Sequence, residues 1–204
     1  MRRSRPVFNR GFEVHRLEER PGRPTIVGIR RGTAGGGRSL MLNGHLDTVG
    51  VVGYAGDPFS GELRDGRVLG RGAFDMKGGV AAILVAAARA TGASGAGASV
   101  LAGSVAGFRF RLTRLVARAA FEADPEWPIV RTLSAHAAAV LGRRPDVQGE
   151  PFWTDAGLLH EAGIPCLVVG VDGGGAHADA EWADAASVDA LTEILTRTIV
   201  DFCA

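Results

Sequence analysis

Cysteine is scarce here: Cys166 and Cys203 are the only two in 204 residues. That is too few for a disulfide framework or a thiolate zinc site. A charge excess is also lacking, since 23 Lys and Arg against 22 Asp and Glu leave a net charge of +1. The balance gives no electrostatic reason to expect nucleic acid or an anionic membrane as partner. No apolar run approaches the roughly 20 residues of a membrane-spanning helix. Arg2-Arg3-Ser4-Arg5 is followed by no apolar segment, so no signal peptide is expected and a cytoplasmic location is. Internal repeats are absent as well. What remains is an ordinary globular composition, 46% apolar and 22% charged, of a length that suits one domain. Glycine is the exception to this plainness, with 30 residues that concentrate in loops near the candidate site.

Three stretches stand out. The first is Met41-Leu42-Asn43-Gly44-His45-Leu46-Asp47-Thr48-Val49. Leu40 to Leu42 read as a buried strand, Asn43-Gly44 ends the apolar run, and His45 and Asp47 follow with one residue between them. In extended chain such residues point to one side, so Asp47 can hold the His45 imidazole in one tautomer while the other ring nitrogen faces a metal. The second is Gly70-Arg71-Gly72-Ala73-Phe74-Asp75-Met76-Lys77-Gly78-Gly79, where Asp75 stands just before a helix of small residues reaching Ala90. An N-cap is the plain explanation of an aspartate there. The third is Gly173-Gly174-Gly175-Ala176-His177-Ala178-Asp179-Ala180-Glu181-Trp182. Its glycines allow backbone amides to approach a substrate carboxylate or oxyanion closely.

Elsewhere the pattern alternates strands and helices. Strands are expected at 12–18 and 25–29, and a hairpin over 61–69 turns at Asp65-Gly66. Further strands are expected at 98–105, 108–112, 119–123 and 166–169. Helices are expected at 128–141, opened by Pro128 and stopped by Gly142, at 154–162, and at 187–203. The alternation implies an α/β domain with a mixed, largely parallel sheet, and in such sheets sites form where strand ends meet loops.

The ordered motifs GHLDTV, GRGAFDMKGG and GGGAHADAEW closely resemble the M20 metallopeptidases. That group includes carboxypeptidases, acetylornithine deacetylase, succinyl-diaminopimelate desuccinylase and aminoacylases. The resemblance covers about residues 12–92 and 150–203. It implies a three-layer zinc-peptidase-like catalytic domain, 1–204, with 106–125 a residual piece where the family inserts a lid and dimerisation domain. That lid is mostly absent here, so the oligomeric state stays open. It further implies His45, Asp75 and His177 as metal ligands, Asp75 bridging two ions and followed by a cis peptide. Asp47 becomes the catalytic-site residue that orients His45, and Gly173, Gly174 and Gly175 become substrate-binding. Glu181 reads as a loop-fixing residue, Arg71 and Lys77 as framework, and His15, His136 and His160 as structural or surface residues. The cofactor is zinc, one ion or two, with cobalt or manganese as substitutes. The substrate is an N-acyl amino acid or peptide, hydrolysed at its amide bond.

One part of the family pattern is missing. The resemblance calls for adjacent acidic residues after the strand at 98–105, supplying the general base and a ligand, but Ala106-Gly107-Phe108-Arg109 stands there. The further terminal carboxylate is absent too. Three protein ligands suffice for one zinc in a catalytic site, but not for two. The sequence therefore leaves three readings open: an impaired metal-dependent amidohydrolase, a non-catalytic binding or remnant protein of the same fold, and an unstable fragment. A carboxylate such as Glu122, Glu150 or Asp155 within reach of the three ligands would favour the first.

Overall fold

A computed structural model describes residues 11–33, 36–90, 97–103, 121–150 and 152–204. The chain separates into two compact units, one formed by 1–105 with 170–204 and the other by 106–169.

The first unit holds a four-stranded sheet in the order β1-β2-β6-β3. Its members are β1 (Glu13–Leu17), β2 (Thr25–Ile29), β3 (Ser39–His45) and β6 (Gly97–Gly103). β1 and β2 pair antiparallel with Leu17 opposite Thr25, around the Pro21-Gly22 turn. β2 and β6 are antiparallel, and β6 and β3 are parallel with His45 opposite Gly103. The sheet is mixed, as expected, but its parallel share among the described strands is one ladder of three rather than the larger part. The reason lies in the connections: a tight turn between β1 and β2 permits only antiparallel pairing, whereas the helical crossover from β3 to β6 allows a parallel one.

That crossover contains α1 (Gly78–Ala90), which touches β3 and β6 and packs along α4 (Ala185–Phe202). Alanine explains the closeness of this packing. Ala82, Ala86, Ala87 and Ala90 are buried on α1, and Leu191, Ile194, Leu195 and Ile199 are buried on the α4 helix packed against it. Each Leu or Ile buried there stabilises the fold by about 1.5–3 kcal/mol. α4 starts at Asp184, whose carboxylate accepts from the Ser187 amide at 2.7 Å and satisfies one of the amides that a helix start leaves open.

A second small sheet has the order β4-β5-β8-β7. The hairpin of β4 (Leu63–Arg64) and β5 (Arg67–Leu69) turns at Asp65-Gly66, both with positive φ, as the sequence indicates. β5 then pairs with β8 (Trp182–Asp184), and β8 with β7 (Gly173–Gly174).

The second unit contains α2 (Pro128–Leu141) and α3 (Ala156–Glu161). Pro128 opens α2, and Gly142 closes it at φ 68°, a conformation that costs a glycine little. His160 on α3 packs its ring near Phe121 and Trp127, a structural role. The strand expected at 166–169 does not form. Those residues are irregular and find no ladder partner among the described residues, and Val168 is half exposed. A short apolar run has strand composition whether or not another strand lies beside it; only pairing makes it a strand. Residues 121–123 are also irregular, and the expected strand at 108–112 lies outside the described residues.

Candidate metal centre

β3 ends at His45, so the strand delivers its last side chain to the rim of the sheet. Gly44 makes this possible. A Cβ there would stand 2.9 Å from Val80 Cγ2 and 3.1 Å from the Met76 methyl, so a larger residue would have to displace those side chains at the start of α1. Asp75 sits in the tight turn 73–77 that leads into α1, with φ −112° and ψ 94°, well outside helical values. The Asp75–Met76 peptide is cis, at the position the family resemblance indicates. His177 occupies the loop between β7 and β8 and has φ 64°, a conformation uncommon in residues other than glycine and associated with functional loops.

These three residues, from three separate parts of the sequence, meet. His45 Nε2 lies 3.2 Å from one Asp75 carboxylate oxygen, Oδ1. His177 Nε2 lies 3.1 Å from the other, Oδ2. One carboxylate therefore offers a separate oxygen to each imidazole. It does not cap α1, so the plain reading of Asp75 as a helix cap gives way to the convergent one. Behind His45, the Nδ1 atom lies 3.2 Å from an Asp47 carboxylate oxygen and 3.2 Å from the Asp47 carbonyl. Both ring nitrogens of His45 are thus engaged, and the ring is fixed in orientation. The cluster is open to water, with His177 the most exposed of its members.

A different carboxylate lies beneath. Glu181 is 2% exposed. Its Oε2 accepts from Arg71 Nη1 at 3.0 Å and from the Gly72 amide at 2.8 Å. Its Oε1 accepts from the amides of Phe74 at 3.1 Å and Asp75 at 2.9 Å. Burial pushes the Glu181 carboxyl upward, but the amides of Asp75 and Gly72, the Arg71 guanidinium and the Phe74 amide together outweigh it and hold the group below the ordinary carboxylate value. Arg71 also donates to the Ala178 carbonyl at 2.7 Å and lies under the Tyr54 ring at 4.9 Å. The loop-fixing role read for Glu181 and the framework role read for Arg71 agree with this geometry. Lys77, close to Glu181, Asp47 and Asp75, is depressed below the ordinary lysine value chiefly by burial.

The glycines at 173–175 have a packing reason of their own. A Cβ on Gly173 would run into the Trp182 carbonyl and the Phe74 ring, one on Gly174 would press on the Trp182 indole, and one on Gly175 would strike the Ala180 carbonyl. Gly175 also has φ 73°. The close approach they permit is to the chain's own β8 loop, and the substrate-binding reading draws no support from it.

The donor set suits a borderline divalent metal: two imidazole nitrogens and one carboxylate, with one imidazole oriented from behind by a second carboxylate. Yet among the described residues no group of three or more His, Cys, Asp or Glu is arranged as a ready metal shell. Glu122, Glu150 and Asp155 belong to the second unit. Residues 104–120, where the family resemblance calls for the acidic pair, lie outside the described residues.

Comparison with known proteins agrees with the motifs. The profile of peptidase family M20/M25/M40 matches residues 41–106 and 109–201, which is more than half of the chain. The chain belongs to this family. Among curated relatives, a succinyl-diaminopimelate desuccinylase of Cereibacter sphaeroides is 45% identical over 80 residues, which is 38% of this chain and 20% of that protein. N-formyl-4-amino-5-aminomethyl-2-methylpyrimidine deformylase of Bacillus subtilis is 40% identical over 80 residues, 37% of this chain and 19% of that one. The matched segment thus spans about a fifth of these M20 relatives. Among solved structures, aminopeptidase PepT from Bacillus cereus aligns with a TM-score of 0.71 at 11% identity, over 97% of this chain and 91% of that one. A tripeptidase from Staphylococcus aureus aligns with the same score and identity, over 97% and 90%. At that identity the likeness establishes the α/β fold. No helix among the described residues is long and apolar enough to cross a membrane.

Proposed function

We propose that this M20 chain is a metal-dependent hydrolase of amide bonds in N-acyl amino acids or peptides, impaired by the loss of its general base. The observation that carries the proposal is the Asp75 carboxylate, which turns one oxygen to His45 and the other to His177. His45, Asp75 and His177 would hold a zinc ion, with cobalt or manganese as substitutes. When bound, the metal supplies Lewis acidity, polarising a carbonyl and making water acidic near neutral pH. The chain's own residues do the rest. Asp47 fixes the His45 ring and keeps its Nε2 directed at Asp75. Glu181 and Arg71 brace the turn that carries Asp75.

A positioned base typically accelerates such a reaction about 10²–10⁴-fold, and turnover is expected to be reduced by that factor. The test combines zinc titration by calorimetry with hydrolysis assays on N-acyl amino acids and short peptides. N-succinyl amino acids come first, because the similar desuccinylases are named for that chemistry. Saturable zinc binding with weak, chelator-sensitive hydrolysis is the expected result. Failure to bind zinc would remove the metal reading, and turnover at rates ordinary for amidohydrolases would remove the impairment.

A second reading is a non-catalytic M20 relative that keeps the fold, with or without one metal, and the lack of a ready three-residue metal shell among the described residues supports it. Zinc binding with no hydrolysis of any acyl or peptide substrate decides for it.

A further inference from the structure

The ligand-bearing segments of this molecule are not held together by the ligands alone. Asp75 and His177 are 102 residues apart and sit on separate loops, and each loop is attached to the same buried ion pair. On the Asp75 side, Glu181 takes the amides of Gly72, Phe74 and Asp75 into its two carboxylate oxygens. On the His177 side, Arg71 donates to the carbonyl of Ala178, the next residue along. The Glu181 backbone closes the frame, because its carbonyl accepts from the Gly70 amide at 3.1 Å and from the Tyr54 hydroxyl at 3.2 Å. The Ala55 amide donates to the Asp179 carbonyl as well, so a third loop is sewn to the second.

We propose that Glu181, together with Arg71, is a positioning pair that sets the distance between the Asp75 and His177 donors and so the geometry offered to a metal. The residue types follow from the chemistry. The turn and Arg71 present four N–H donors to one side chain, and only an ionised carboxylate has acceptor capacity for all of them with no donor of its own. A glutamine would bring an NH2 group against two of those N–H groups. The guanidinium is equally specific, since it reaches Glu181 and the Ala178 carbonyl with different nitrogens while its face lies against Tyr54.

The proposal rests on the metal reading above, and two measurements separate their fates. In the metal-free protein, amide hydrogen exchange compares wild type with Glu181→Gln and Arg71→Lys. Loss of protection at Phe74 and Asp75 is expected, with α1 and α4 still protected. Unchanged protection at Phe74 and Asp75 in both variants would overturn the positioning role, whatever the metal does. With metal, cobalt(II) is titrated and its visible absorption recorded. Wild type is expected to show a saturable spectrum, and the two variants a shifted band with affinity lowered about 10–100-fold, the range for residues that orient ligands. Leu195→Ala, which removes a buried side chain of α4 outside the Glu181 and Arg71 hydrogen bonds, serves as the control for mere destabilisation and is expected to leave the spectrum unchanged. Variants with wild-type cobalt spectra and affinity, or a Leu195→Ala spectrum that shifts as theirs do, would overturn the proposal. If wild type itself binds no cobalt or zinc, the metal reading falls and the exchange result alone judges the frame. Arg71→Lys, the milder change, keeps the test decisive should Glu181→Gln fail to fold.

Discussion

Two carboxylates of this chain, Asp75 and Glu181, are joined through a single backbone hydrogen bond yet live under opposite conditions. Glu181 is closed off from water and surrounded by donors of the protein itself, three backbone amides and a guanidinium. Asp75 is about one-third exposed and faces two imidazoles, whose nitrogens can exchange a proton for a metal ion. The first arrangement gives both carboxylate oxygens partners from the protein itself and suits a structural anchor. The second is open to a ligand. The difference shows that a buried, fully paired carboxylate is weak grounds for a site, while a partly exposed one flanked by exchangeable partners is stronger grounds.

The comparison breaks most visibly at Glu181. Glu181→Ala leaves Arg71 buried without its charge partner and strips three amides of their acceptor, and a loss of about 3–5 kcal/mol in urea unfolding is expected. A loss below about 1 kcal/mol would mean that water or another acceptor takes its place. Asp75→Asn removes the charge and keeps the shape. Zinc affinity is expected to fall by at least about 100-fold, beyond the usual effect of an orienting residue, with little change in the unfolding midpoint. If stability falls and zinc affinity does not, the two carboxylates have been assigned the wrong way round. Asp47→Ala touches only the residue behind His45, and calorimetry should show affinity reduced about 10–100-fold. The smallest effect sharpens the contrast from the other side. Arg197 and Glu193 form an exposed ion pair on α4 at 2.8 Å, and Arg197→Ala should cost about 0.5 kcal/mol or less.

Much of the site was legible because its chemistry is written in local spacing. His45 and Asp47 flank one residue at a strand end, Asp75 precedes a helix of small residues, and His177 follows a glycine run. The hairpin at Asp65-Gly66 and the limits of α2 were legible for the same reason, since a turn or cap acts on its neighbours. The short strands β7 and β8 were not, because two or three residues carry no periodicity and exist only through pairing with each other and with β5. The segment 166–169 failed in the opposite sense, having strand composition and no partner among the described residues. The packing reason for Gly173 to Gly175 was not legible either: what fills the space of their absent side chains is Trp182, Phe74 and Ala180, which no local pattern announces.

By itself, then, the sequence determined membership of the M20 family, the alternation of strands and helices, and which side chains have metal chemistry to offer. Only the tertiary structure decided that the Asp75 carboxylate turns away from the helix behind it and divides its oxygens between His45 and His177. It alone decided that Glu181 accepts from residues 106 to 110 positions away. The physical reason is range. Turns, caps and strand ends are set by forces between near neighbours, whereas the partner of a carboxylate is whatever donor the folded chain brings within about 3 Å of it.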